Sequence, residues 1–227
     1  MSKIDFHIIK KLDPFTLDVR CGFDNGVLVV RGESGAGKTT LLHCIAGLRA
    51  PESGVIEIDG DVVFKRDAES AGKAAQIDKP ARARGLGYLF QSYALFPNMT
   101  VEQNVLYGIR NKPEYKNRAL RKEMLDYADY IMEIFGIAGL RKKLPATISG
   151  GEKQRAALSR AIVTKPKLLL LDEPFSALDE ETKAIIYSEF GQFKERFQIP
   201  TILITHNDAE GRMFGDHRIH MKAGVIV

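Results

Sequence analysis

The chain has 227 residues, 44% of them hydrophobic, and a formal net charge of +4, enough to bury one full core. No apolar run approaches the ~20 residues that span a bilayer, and Met1 to Phe6 has no apolar signal region, so the chain reads as cytosolic unless a partner tethers it. The basic residues are scattered (Lys65-Arg66, Lys79, Arg82, Arg84 and Arg141-Lys142-Lys143) without interleaved aromatics; they read as solvated charge, and no nucleic-acid partner is expected.

In chain order, Phe15 to Cys21 alternates strictly and predicts a half-buried strand, with Asp24-Asn25-Gly26 as its turn. Cys21 continues the apolar face of Phe15, Leu17 and Val19, while Cys44 falls in a helix, so both are expected as core thiols in a reducing compartment. Val27 to Val30 is an apolar, β-branched strand, and Leu41 to Ala46 reads as a helix closed by Gly47. Val55 to Ile58 followed by Asp59-Gly60 is another strand and turn. Residues 65–85 are poor in apolar side chains and predict an exposed loop, and Leu86 to Phe90 is the next strand. Leu120, Met124, Tyr127, Ala128, Ile131, Ile134 and Phe135 fall at helical spacing up to Gly136. A second helix is expected from about Ser149 to Val163. Lys167 to Leu171 and Pro200 to Ile204 are continuous apolar runs, as in parallel strands covered on both faces. His217 and His220 lie on opposite faces of an alternating stretch and predict no metal pair.

The segment Gly32-Glu33-Ser34-Gly35-Ala36-Gly37-Lys38-Thr39 matches G-x-x-x-x-G-K-[ST] between a strand and a helix. Glycines there let backbone N–H groups wrap phosphates, with the positive end of the helix behind them. Lys38 is expected to reach the β- and γ-phosphates and the Thr39 hydroxyl to bind Mg²⁺; the binding set extends to Thr40. Gln91, Asp172-Glu173 and His206 each follow another predicted strand, and ligands of open α/β sheets bind at such carboxyl ends. Asp172 is the second Mg²⁺ candidate, and Glu173 can face an attacking water. Ser149-Gly150-Gly151-Glu152 has capping-box form. Glycine costs about 1 kcal/mol in a helix interior, so the pair suggests close approach of a phosphate belonging to another subunit's nucleotide.

These motifs together resemble the nucleotide-binding subunit of an ATP-binding cassette (ABC) transporter, over nearly the whole chain. They are the Walker A loop Gly32 to Thr39, the Q-loop glutamine Gln91, the signature Ser149 to Gln154, Walker B through Asp172-Glu173-Pro174, the segment Ser176-Ala177-Leu178-Asp179, and the switch histidine His206. The resemblance implies an α/β fold: a P-loop NTPase core with a mainly parallel sheet, an N-terminal antiparallel β subdomain and an inserted α-helical subdomain. A single ABC ATPase domain over 1–227 is expected, with the core in 1–94 and 161–227 and the helical signature subdomain in 95–160.

By the same resemblance, ATP and Mg²⁺ are the cofactors. Two subunits pair head-to-tail, so that Ser149, Gly150, Gly151 and Gln154 complete the partner's site and Asp179 contacts the opposing subunit. Glu173 polarises the water, His206 contacts the γ-phosphate, and Gln91 senses Mg²⁺ and the water. The implied partners are an integral membrane permease, a separate solute-binding protein and a second ABC subunit, at the cytoplasmic face of the cell membrane. Tyr93, Leu95, Phe96, Met99 and Tyr107 suit either a permease helix or the core of the insert. The stretch Phe90 to Thr100 and the Gly151-Glu152-Lys153-Gln154-Arg155 wording are most similar to importers of small solutes such as molybdate or sulfate. An exporter or lipoprotein-release cassette, or a non-transport ABC ATPase, remains the alternative. No aromatic residue clearly suited to stack on adenine stands before Walker A, since Phe15 falls in the strand and Phe6 is only a candidate. The chain stops after Ala223-Gly224 without the regulatory β-domain of many oxyanion importers, so regulation by solute bound to this subunit is not expected.

Overall fold

A computed structural model describes residues 3–70, 74–176 and 178–227; Ala177, expected between the Walker B and Asp179 positions, lies outside the described residues. The chain runs through β1 (Ile4–Lys11), β2 (Thr16–Phe23), β3 (Val27–Gly32), α1 (Lys38–Ala46), β4 (Ser53–Ile58), β5 (Asp61–Arg66), β6 (Ile77–Asp78) and β7 (Leu86–Leu89). It continues with α2 (Val101–Arg110), α3 (Arg118–Ile134), α4 (Gly150–Ile162), β8 (Leu168–Asp172), α5 (Glu180–Phe197) and β9 (Thr201–Ile204). The last elements are α6 (Asp208–Phe214), β10 (His217–Lys222) and β11 (Val225–Ile226). Two compact units result. One takes in the chain up to Tyr88 with Lys167–Glu173 and Phe197–Val227; the other comprises Leu89–Pro166 and Pro174–Arg196.

The first unit holds an antiparallel sheet in the order β2-β1-β4-β5-β6. A second sheet has the order β11-β10-β3-β9-β8-β7, in which β10, β3, β9 and β8 run parallel and β11 closes an antiparallel hairpin. The apolar runs predicted as strands account for this. Leu168, Leu169 and Leu170 of β8 and Ile202, Leu203 and Ile204 of β9 are all at 0% exposure, and burying each such side chain stabilises by ~1.5–3 kcal/mol. Helix α1 sends Leu41, Leu42 and Ile45 into one core with Ile4, Phe6 and Ile8 of β1, Leu17 and Val19 of β2, and Leu28 and Val30 of β3. Gly47 ends α1 at a left-handed φ of 74°.

The stretch 65–85 departs from the expected exposed loop. β5 runs on to Arg66, and β6 pairs with it through Phe64↔Asp78 and Lys65↔Ile77. Arg84 is buried and donates from Nη1 to the carbonyls of Cys44 and Ile45 (2.9 Å each), from Nε to Lys79 O (2.8 Å) and from Nη2 to Asp78 Oδ1 (2.9 Å). A cation can be buried when its donors are matched and it faces the negative end of a helix, and neither condition is visible in local composition.

In the second unit the helices start where their caps predict. Thr100 and Gln103 form a capping box at α2, Asn117 caps α3, and Ser149 and Glu152 form a capping box at α4. Ala128, Ile131 and Met132 are the buried face of α3, whereas Leu120, on the predicted apolar stripe, is exposed. Tyr93 is buried in this unit and Tyr107 is exposed.

Candidate nucleotide-binding site

The loop from β3 to α1 owes its shape to its glycines. Gly35 and Gly37 have φ of 80° and 96°, a region that costs most residues 1–2 kcal/mol. A Cβ on Gly32 would lie 2.1 Å from the Met221 carbonyl, so the loop can leave the sheet beside β10 only without a side chain. α1 begins after Gly37 with no side-chain cap; its first N–H groups are the donors an anion would take. Lys38 is 7% exposed, and its Nζ donates to Gly32 O and Glu33 O at 2.8 Å each. The ammonium is therefore held inside the loop it would serve. Glu33, Ser34 and Gly35 are exposed, Ala36 is buried, and Thr39 is exposed with Thr40 half-buried behind it.

β8 ends at Asp172, opposite this loop, and the Thr39 hydroxyl donates to Asp172 Oδ1 at 3.3 Å. Burial raises the Asp172 carboxyl above its ordinary value; the Thr39 hydroxyl opposes that rise and the Glu173 charge adds to it. Tyr88 of β7 stands beside the same carboxylate, and burial first, then Asp172, hold its phenol well above its usual range. Glu173 sits at φ 46°, a conformation that costs on the order of 1 kcal/mol and is concentrated at functional sites. Its N–H donates to Ile204 O at 3.1 Å, and its Oε1 lies 3.5 Å from Nδ1 of His206, which follows β9. Lys38, Thr39, Asp172, Glu173 and His206 thus belong to one unit, at the carboxyl ends of adjacent strands. The hydroxyl of Thr39 beside the Asp172 carboxylate is an oxygen-only donor pair, the kind Mg²⁺ takes.

Phe15, expected inside the strand, instead precedes it: β2 begins at Thr16. A Cβ on Gly37 would lie 3.5 Å from Phe15 Cε2, and one on Gly224 would lie 2.6 Å from Phe15 Cδ2. Gly224 also donates its N–H to Ala36 O at 3.2 Å, tying the β10–β11 turn to the phosphate loop.

The other expected residues stand in the second unit. Gln91 is exposed after β7. The loop that follows it has Tyr93 and Ala94 at φ 61° and 43°, and Arg160 of α4 donates to the Tyr93 and Ala94 carbonyls at 2.9 and 2.7 Å. Asn104 of α2 donates to the Phe96 carbonyl at 3.1 Å. Sequence reading missed both anchors, because a mid-helix Arg or Asn carries no local signal of a distant carbonyl. At the start of α4, the Ser149 N–H donates to Glu152 Oε2 at 2.7 Å and the Glu152 N–H donates to Ser149 Oγ at 3.3 Å. Gly150 is exposed, and a Cβ there would meet Leu178 Cδ2 only at 3.8 Å, whereas a Cβ on Gly151 would lie 2.9 Å from Thr182 Cγ2. Packing against α5 therefore accounts for Gly151, and close approach of a ligand is needed only for Gly150. Gln154, expected among the ligand-binding residues, is 2% exposed and lines a small cavity with Phe135, Phe175 and Phe190. Asp179 accepts the Thr182 N–H at 2.9 Å and its hydroxyl at 2.8 Å, which lowers its carboxyl and makes it the cap of α5.

Residues 13–176 match the ABC transporter family model. The chain belongs to the ABC transporter family. It is 37% identical over 223 residues to a molybdenum import ATP-binding protein, ModC, of Paramagnetospirillum magneticum, covering 98% of this chain and 58% of that protein. It is also 37% identical over 210 residues to the sulfate/thiosulfate import ATP-binding protein CysA of Halalkalibacterium halodurans, with 92% and 55% covered. With the molybdate/tungstate import ATP-binding protein WtpC of Archaeoglobus fulgidus, identity is 37% over 218 residues, with 96% and 82% covered. The chain thus spans little more than half the length of the first two relatives. Membership bears out the P-loop NTPase fold read from the motifs. Among the described residues, no helix is long and apolar enough to cross a membrane.

Proposed function

We propose that this chain is an ATP-hydrolysing subunit that pairs head-to-tail with a second ABC subunit on ATP and powers a membrane permease. The import of a small inorganic oxyanion of the molybdate or sulfate class is the reading the relatives' names favour. A peripheral place at the cytoplasmic membrane face, with a separate solute-binding protein, goes with it. One observation carries the chemistry: the Thr39 hydroxyl 3.3 Å from Asp172, with Glu173 next in sequence and 3.5 Å from His206.

The phosphates would lie on the N–H groups of Gly35, Gly37, Lys38 and Thr39, since the Ala36 N–H is taken by Glu33 O at 3.2 Å, and the Lys38 ammonium would turn from the Gly32 and Glu33 carbonyls toward the β- and γ-phosphates. Thr39 and Asp172 would hold Mg²⁺, whose charge offsets that of the phosphates. Glu173 accepts hydrogen bonding from the attacking water, and His206 donates to the γ-phosphate. Phe15, beside Gly37, offers a ring face to adenine. Ser149 and Gly150 of the second copy complete the site, Asp179 meets that copy, and Gln91 senses Mg²⁺ and the water. All of residues 1–227 act as one ATPase domain whose inserted helices carry the signature and meet the permease.

The test uses the full chain with Glu173→Gln. The wild type should hydrolyse MgATP, and the variant should bind MgATP, stop turning over and elute as a dimer. Used as bait on detergent-solubilised membranes of the source cell, that dimer should recover a polytopic membrane protein. A monomeric variant, or recovery of ribosomes or DNA instead, would overturn the transport reading.

A further inference from the structure

The turn that presents His206 is built on a buried carboxylate in the following helix. Glu210 of α6 is 5% exposed, and its Oε2 accepts the hydroxyl of Thr205. Thr205 is itself buried, and its Oγ1 accepts the Asn207 N–H at 3.0 Å. A hydroxyl has one proton to give. Given to Glu210, it leaves a lone pair for Asn207, and each bond polarises the other. Asn207 Oδ1 accepts the Ala209 N–H at 2.8 Å and so caps α6. The Thr205 N–H points to Val30 O at 3.4 Å, in the strand that leads into the phosphate loop. α6 is itself fastened to that strand by the Arg31–Asp208 ion pair and by Gly211, whose Cβ would lie 3.3 Å from Arg31 Cδ. His206 is the residue bracketed by these bonds. Its side chain is 66% exposed, so its placement rests on the backbone on either side.

We infer that Glu210 is a positioning residue for His206: through the Thr205 hydroxyl it fixes the 205–207 turn, and so the place of the imidazole relative to Glu173. This deepens the ATP-hydrolysing reading and rests on it. Glu210 acts on His206 through the Thr205 hydroxyl and the Asn207 N–H bonded to it.

The experiment compares Thr205→Val, Thr205→Ser, Glu210→Leu, Glu210→Gln and the Thr205→Val/Glu210→Leu double variant in the full chain. The readouts are MgATP affinity, turnover, and the ring resonances of histidine-labelled protein, with His206 assigned by its loss in His206→Ala. Thr205→Val and Glu210→Leu should each lower kcat about tenfold or more, as a displaced catalytic group does. They should leave MgATP affinity unchanged and move the His206 resonance alike. Thr205→Ser should restore all three, and the double variant should be no worse than either single one. Glu210→Gln keeps an acceptor of the same size and should lie between wild type and Glu210→Leu, which supplies the answer if the apolar variants do not fold. An unmoved His206 resonance in folded variants, or additive losses in the double, would overturn the inference. Absence of ATP hydrolysis by the wild type would sink the function proposed above, while the resonance of His206 would still decide whether Glu210 places it.

Discussion

Arg84 fills the space that a side chain at Gly47 would need: a Cβ on Gly47 would stand 2.5 Å from Arg84 Nε and 2.7 Å from its Cζ. The glycine therefore does two things at once. Its left-handed φ of 74° ends α1, and its missing Cβ admits the guanidinium that collects the last carbonyls of that helix.

Gly47→Ala should destabilise the chain by more than the ~1 kcal/mol of the left-handed backbone, because it also evicts Arg84. Arg84→Met keeps the stem but takes the Arg84 donor from the Ile45 carbonyl and leaves the Cys44 carbonyl only the Gly47 N–H at 3.2 Å; about 2–4 kcal/mol should be lost. Denaturant unfolding of both variants and of the Gly47→Ala/Arg84→Met double checks this. Strictly additive losses would show that the two positions do not share one space.

Lys38→Ala should weaken MgATP binding by about tenfold or more, the worth of a charge-assisted contact. Glu173→Gln should lower turnover by roughly 10²–10⁴-fold with affinity kept. Titration with a fluorescent ATP analogue, beside phosphate-release kinetics, separates the two, and wild-type affinity in Lys38→Ala would remove its assigned role.

The two signature glycines should part company. Gly151→Ala drives a methyl to 2.9 Å from Thr182 Cγ2 and should lower Tm, with Thr182→Ser recovering much of the loss. Gly150→Ala meets only Leu178 Cδ2 at 3.8 Å, so Tm should hold while ATPase activity falls if a partner's phosphate comes close there. Calorimetry together with activity assays tests the split.

The Glu152 carboxyl is held below its ordinary value, first by the Ser149 N–H. Its contribution to stability is full above the ordinary glutamate range and is lost as pH falls through the lowered value. Glu152→Gln should therefore lower stability slightly at neutral pH and converge with the wild type in acid, which flattens part of the acid limb of the stability–pH curve. A variant whose acid limb superimposes on that of wild type would show that the cap adds nothing.

Burial pushes the Cys44 thiol up to about 11, and burial likewise raises Cys21. Both should react slowly with a thiol reagent at neutral pH in the native chain and fast once it is unfolded, since only the thiolate reacts. Rapid labelling of native Cys44 would place it outside the core.

Much of the site was legible because its parts are local. The phosphate loop reads from eight consecutive residues, and Ser149 and Glu152 cap α4 from their spacing alone, as the structure finds them. β8 and β9 read from unbroken apolar runs because both faces are covered. Phe15, Arg84 and Leu120 were misread or passed over for one reason. Their surroundings come from other segments: the Gly37 and Gly224 turns around Phe15, and the end of α1 around Arg84. For Leu120, periodicity marks an apolar stripe but not how far along the helix that stripe is covered.

By itself the amino-acid sequence marked the candidate residues for the chemistry and the segments that become β3, α1, β8, β9 and α4, because glycine conformations, caps and apolar periodicity act within a few residues. Only the tertiary structure decided that Thr39 meets Asp172 across 133 positions of chain, that Glu173 faces His206, and that Glu210 stands behind Thr205. Those distances follow from the order in which β3, β9 and β8 pair, and strand order is set by burying all their apolar faces together, a condition no single segment contains.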